Sequence, residues 1–277
     1  MFAPIRSRVA VGSLSVSHVC LGIVGSSDVV RAAYEAGVNF FAVTTDMHWP
    51  VYDATRRGLV ELLRDRPAAR DEIVVMGVSY VTHPRFCHAP FVELLEAVPS
   101  LGRLDISCMG AATNDNFLGR WDAHTKHRED SRIGAHAVAA IFDDAVAARA
   151  ALAGGLVDLA VVGYRPSHRR LRSELFDKLS ASRRAPILSI GVALDVLPPT
   201  RLQELGVGKD QWLPTLGDYV RYSIGVRCID GLLCNAATVG ELTEILHAAE
   251  GGPLTPEEAV YLEDLSDLHR GLAELVT

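Results

Sequence analysis

Lysine is nearly missing from this chain: of 27 basic residues only Lys126, Lys178 and Lys209 are lysines, and the rest are arginines. Chemistry that needs a lysine amine of tuned pKa is therefore confined to three positions. Positive charge is also short overall, with 34 acidic residues, a formal net charge of −7 and a pI near 5.8. That balance argues against nucleic acid and anionic membranes as partners, since both select basic faces. The five cysteines (20, 87, 108, 228 and 234) are odd in number, scattered and without a CxxC pair. Neither a disulfide framework nor a zinc ribbon is indicated, and reduced thiols are expected. No run is long and uncharged enough to span a bilayer, and the opening MFAPIRSRVAVGSLSVSHVCLG lacks the unbroken apolar core of a signal peptide. The protein is expected in the cytoplasm. Its partner is expected to be a small molecule, with homo-oligomerisation left open.

What is present is ordinary soluble composition, 277 residues with 49% hydrophobic and 22% charged. This is enough for one large domain over 1–277. Short apolar runs alternate with amphipathic stretches, which signals βα units around a parallel sheet. Strands are read near 18–22, 38–43, 72–78, 103–108, 133–138, 157–163, 186–192 and 229–234. Helices are read between them, among them SDVVRAAYEAG, RRLRSELFDKLSAS and a closing PEEAVYLEDLSDLHRGLAELV. Ser27 and Thr238 stand where N-caps belong, and Gly37 and Gly154 where C-caps do. Eight such units predict an α/β fold, a (β/α)8 TIM barrel, with a doubly wound open sheet as runner-up. Residues 110–131 read as a long irregular loop over the mouth.

The segments AAYEAGVNFF, SRIGAHAVAAIFDDAVAARAALAGGLVDLAVVGYRP and PLTPEEAVYLEDL together resemble the aldo-keto reductase family, over about Ser15 to Gly271. The resemblance implies an aldo-keto-reductase-like barrel whose usual members reduce carbonyls with NADPH laid across the mouth. It also implies a tetrad of aspartate, tyrosine, lysine and histidine. Aligned on it, this chain has Val43 or Ala42 at the aspartate, His48 at the tyrosine, Gly77 or Val78 at the lysine and Gly110 at the histidine. Where the family holds the carboxamide of the cofactor stand Ala139, Ala140 and Val161, and from Cys228 to His269 there is neither Lys nor Arg for the 2′-phosphate. No cofactor and no metal are therefore expected. Tyr164 matches the aromatic that stacks on the nicotinamide.

Functional groups of such barrels sit at strand C-termini and the loops that follow. His48 is the first candidate for proton transfer, because imidazole titrates near neutrality without help, and Asp46 is its partner. Val43, Trp49, Tyr80, His83, Met109, Asn114, Tyr164 and Arg165 are the expected substrate-lining residues, with His168 and Asp195 close by in sequence. A metal site built from Asp46, His48, His83, Cys87, His88 and Cys108 is the sharper alternative, although no pair has ligand spacing. The small apolar replacements predict an enlarged apolar cavity. Three functions follow, in this order: a cofactor-independent lyase, isomerase or cyclase working by acid/base chemistry on a largely apolar small molecule; a divergent NADPH-dependent oxidoreductase; and a catalytically silent binding or partner subunit.

Overall fold

The computed structural model describes residues 5–46, 50–127, 130, 132–179, 185–208 and 210–276. The chain opens with an antiparallel hairpin, β1 (Arg8–Val11) and β2 (Leu14–Ser17), which the sequence reading did not anticipate. Eight parallel strands then close a barrel in chain order: β3 (Val19–Val24), β4 (Phe40–Val43), β5 (Val74–Ser79), β6 (Leu104–Ala112), β7 (Ile133–Phe142), β8 (Leu159–Val162), β9 (Ile187–Ile190) and β10 (Gly231–Ala236). The circle is sealed where β10 pairs with β3. All eight lie on the expected apolar runs, and the fold is the (β/α)8 barrel. No helix of the described residues is long and apolar enough to cross a membrane.

Strand alternation sorts the side chains into two layers. Cys20, Phe40, Met76, Ile106, Val161 and Leu188 pack inside the barrel. Their neighbours in sequence, such as Leu21, Phe41 and Val75, face the surrounding helices. The hairpin plugs the N-terminal end: Val11 and Val16, both fully buried, join the inner layer. Asn39, at the start of β4, ties it down by accepting from Ser17 N at 2.7 Å. At the same end a buried ion pair clamps β5 to β6. Arg70 is 9% and Asp105 4% exposed, with Nη2 to Oδ2 at 3.0 Å. The guanidinium also donates to the carbonyls of Leu101, Ile73 and Arg103, while Asp105 accepts from Val75 N. With its lower end filled, the barrel is open to ligands only at the C-terminal face.

Three expectations are corrected. Residues 110–131 are not one irregular loop: β6 continues to Ala112, and a helix spans Phe117–His127. That helix was obscured because its inward face, Phe117, Arg120, Trp121 and His124, keeps helical spacing but mixes polar with apolar groups. The expected helix over 169–182, of which 180–182 lie outside the described residues, is Leu171–Glu174 and a 3₁₀ turn Phe176–Lys178 over its described part. Side chains of that segment are taken up elsewhere, with Arg169 on Asp267 and Arg172 on Glu263 of the closing helix Pro256–Val276. Finally, Ser27 begins its helix rather than capping it, whereas Thr238 caps as expected, its Oγ1 accepting from Glu241 N at 3.1 Å.

Candidate active site

At the C-terminal face β6 is irregular. Its pairing with β7 shifts between Met109 and Ala112, and Ala111 between them takes φ +51°, a left-handed conformation rare outside glycine. Such strain persists where the surroundings hold it, and it gathers at functional sites. Asn116 Nδ2 donates to the Ala111 carbonyl at 3.1 Å and so fixes the bulge. Just before it, Gly110 lets the Tyr80 ring lie flat against the strand, since a Cβ there would come within 2.5 Å of Tyr80 Cδ1.

Around this bulge stands a cluster of polar groups. Arg120 is fully buried, donating from Nη2 to the Ser79 carbonyl at 2.9 Å, while its Nε has no hydrogen-bond partner. Burial lowers its pKa, opposed by the thiols of Cys87 and Cys108 and the carboxylates of Asp46 and Asp143. Asp46 accepts from Tyr80 N. Tyr52, in the 3₁₀ turn Pro50–Tyr52, donates to the Tyr80 hydroxyl. Burial, reinforced by Cys108, pushes Tyr80 up to about 12. Asp143 is exposed at the end of β7, and its carboxyl is raised, first by the low-dielectric wall, next by neighbouring Asp144, with Arg120 opposing. Burial also pushes Cys108 and Cys234 up to about 12 and raises Cys87, so these thiols stay protonated and are poor nucleophiles.

Tyr80, Ala111 and Asp143 form one wall of a cavity of about 1120 Å³ that extends over the ends of β7 to β10. Its floor is apolar, with Ile141, Ile190 and Leu233. The rest of the lining is charged, contrary to the apolar cavity expected: a basic wall of Arg149, Arg165, Arg170, Lys178 and Arg270, with Asp143, Asp144 and Glu174 as the acidic lining residues. Asp144 is already engaged as a helix cap on Ala147 N and as acceptor from Asn114 N.

Of the expected site residues, the structure brings Asp46, Tyr80 and Arg165 to this face, and His168 and Asp195 with them. His48 and Trp49 lie outside the described residues. Val43 and Met109 point the other way, fully buried in the outer layer, because inward positions on their strands belong to Ala42 and Cys108. Tyr164 is likewise fully buried in the outer layer, stacked on Tyr222 at 5.5 Å, with its hydroxyl accepting from Arg172. It is not a wall of the cavity. His83 is exposed with its ring against Phe86, and Asn114 is exposed and contributes only its backbone N–H; neither lines the cavity. Among the described residues no three His, Cys, Asp or Glu side chains converge as metal ligands. Tyr52, Arg120 and Asp143 were missed. The last had a signal, the pair Asp143-Asp144 directly after an apolar strand, which was absorbed into a helix start.

No protein-family model matches the sequence, and no curated protein matches it significantly. The solved structures do. An aldo-keto reductase from Bacillus halodurans in its holo form superposes with a TM-score of 0.73 at 13% identity, covering 94% of this chain and 96% of that one. Its apo form gives 0.65 at 13%, covering 94% and 95%. The chain is thus similar to aldo-keto reductases in fold, a likeness that speaks to architecture alone. Of the positions that the resemblance assigns to the carboxamide, Ala139 and Val161 face the inner apolar layer and Ala140 the outer. None of the three lines the mouth cavity.

Proposed function

We propose that the chain is a cofactor-independent enzyme that moves protons on a small molecule held in the mouth cavity, in a cyclisation, isomerisation or elimination. Asp143 is the acid/base group. The observation that carries this reading is its placement: a carboxyl opening onto the cavity next to Tyr80 and Arg120, with its pKa raised by its surroundings. A raised pKa favours the protonated form, so this carboxyl is a better proton donor than a free aspartate. Tyr80, kept neutral, lies beside the bound molecule, and Arg120, buried and outside the cavity lining, contributes only the field of its positive charge. His48, two residues beyond Asp46, remains a second proton-transfer group on this reading.

The test is to incubate the protein with a small-molecule extract in D2O and follow deuterium uptake by mass spectrometry. Asp143→Asn should cut the turnover so found by about 10²–10⁴-fold, the usual contribution of a positioned acid or base. Full activity in that variant refutes the assignment. The second reading is an NADPH-dependent oxidoreductase, favoured by the likeness to an aldo-keto reductase in its holo form and by the basic cavity wall. Calorimetric titration with NADPH separates the two, since sub-micromolar affinity would establish the oxidoreductase and displace the first reading.

A further inference from the structure

The basic wall of the cavity is out of keeping with the rest of the molecule. A chain of net charge −7 gathers five formal positive charges against three negative ones in the lining of a single concavity, two of the five, Arg165 and Arg270, being paired with Asp195 and Asp267. Among the described residues Arg149, Arg170 and Lys178 have no acidic partner within salt-bridge distance, whereas most arginines elsewhere on the surface do: Arg31, Arg57 and Arg66 are paired with Asp65, Asp53 and Glu35. Arg165 is held differently. Its Nε is fixed by Asp195 Oδ1 at 2.9 Å and Ser167 Oγ at 3.0 Å, and Asp195 is locked in turn by the Ser167 N–H and hydroxyl. At 15% exposure the guanidinium is a rigid group, and of its two remaining nitrogens Nη1 is turned over Gly191. Gly191 takes φ +80°, and a Cβ there would stand 3.3 Å from Nη1, so the missing side chain keeps that nitrogen clear. His168 senses the same field: burial first, then the charges of Arg165 and Arg270, hold its pKa below the ordinary value against the pull of Asp195.

The cavity is not uniformly polar. Beyond the floor of Ile141, Ile190 and Leu233, Val146 in the helix that follows β7 (Ala145–Ala153) and Leu194 in the 3₁₀ turn that follows β9 (Val192–Asp195) also line it, 52% and 75% exposed, and extend its apolar surface. We infer that the cavity takes an amphiphilic anion, an apolar body carrying an oxyanion head group, phosphate or carboxylate, with the head on the Arg165, Arg149, Arg170 and Lys178 wall and the body over the apolar surface. Arg165 supplies the planar fork that suits two oxygens of one head group, and the other three supply field and attraction. This names the substrate class of the proposed acid/base site and rests on that cavity being the site.

The experiment uses octyl phosphate, octanoate and octanol as probes, titrated calorimetrically into the full chain. Both anions should bind at least about tenfold more tightly than octanol, with affinity falling as salt rises. The exposed triple variant R149Q/R170Q/K178Q should weaken both anions by about tenfold or more, at two- to fivefold for each cation, and leave octanol unchanged. Val146→Ser with Leu194→Ser should weaken all three probes alike. A stronger response to octyl phosphate than to octanoate identifies a phosphate head, and the reverse a carboxylate. Equal binding of octanol and the anions, unchanged binding in the folded triple variant, or no binding of either anion at millimolar concentration overturns the inference. Any of these leaves Asp143 to be judged by its own turnover test. Charge-dependent binding joined to full turnover by Asp143→Asn sinks the acid/base assignment and leaves the anion site standing.

Discussion

Replacing Arg70 by methionine gives the most direct test of what holds the lower end of the barrel together. The side chain donates to three backbone carbonyls and to both oxygens of Asp105. Desolvation lowers its pKa, the sign that burial costs it something that Asp105 repays only in part. Removing one member of a buried pair typically costs 3–5 kcal/mol, because the partner is left buried with its charge uncompensated. Two features move the expectation toward the lower figure. Asp105 keeps the Val75 N–H at 2.8 Å, and Arg103 Nε stands 3.3 Å away as a substitute cation at the rim. We therefore expect Arg70→Met to cost about 3 kcal/mol, a large part of a typical total of about 5–15 kcal/mol, and to lower the melting temperature by roughly 6–12 °C. Urea unfolding followed by circular dichroism measures it. The double variant R70M/D105L should cost clearly less than its two single variants summed, since neither charge is then stranded. Strict additivity, or a loss below about 1 kcal/mol for Arg70→Met, would show that the clamp contributes little.

Gly110→Ala should disturb the mouth while sparing the core: the added methyl meets the rigid Tyr80 ring, so ring and bulge must shift, and probe affinity in the cavity should fall several-fold with little change in urea midpoint. Val16→Ala should do the opposite, costing about 2 kcal/mol through lost burial and a cavity in the inner layer while leaving mouth ligands bound as before. Asp143 gives a pH signature with a definite sign. A carboxyl whose folded pKa is raised contributes stability below its unfolded pKa and loses it as pH rises through the folded value, so Asp143→Asn should be relatively more stable than the parent at pH 7 than at pH 3, read as the difference in melting temperature. A variant whose difference from the parent is the same at both pH values contradicts the raised pKa.

The barrel was legible because its signal is repeated. Eight apolar runs such as Val74–Ser79 and Leu159–Val162, buried on both faces, carry the same message to any reading of periodicity. The hairpin was not, since two four-residue strands with one inward side chain in two, Val11 and Val16, look like a tail. In the site, a one-residue choice decided most of the misses. Strand ends were located correctly, but which of two neighbours faces inward depends on register, and Val43 and Met109 fell on the wrong side of it. Tyr164 was missed for the same reason. Arg120 shows a different limit: nothing local marks an arginine on an amphipathic helix as fully buried until the β5 carbonyl that receives it is in place. The basic wall is assembled from Arg149, Arg165, Arg170, Lys178 and Arg270, spread over 121 positions, so no window of sequence contains it.

The hairpin that fills the bottom of the barrel also sets an order of events during synthesis. Val11 and Val16 are made before any strand of the barrel, yet the inner layer they complete includes Leu233 of β10, and the seam there joins β3 at Cys20 to β10 at Cys234, 214 positions on. At about 5–20 residues per second, the closing strand follows roughly 10–40 s later. Through that interval an apolar two-stranded ribbon and an unsealed β3 edge are exposed together, the condition under which nascent sheets associate with the wrong partner. Recovery of this protein from a cell should therefore respond to translation speed and to chaperones that cover the hairpin and the β3 edge more strongly than to substitutions that raise the stability of the finished barrel.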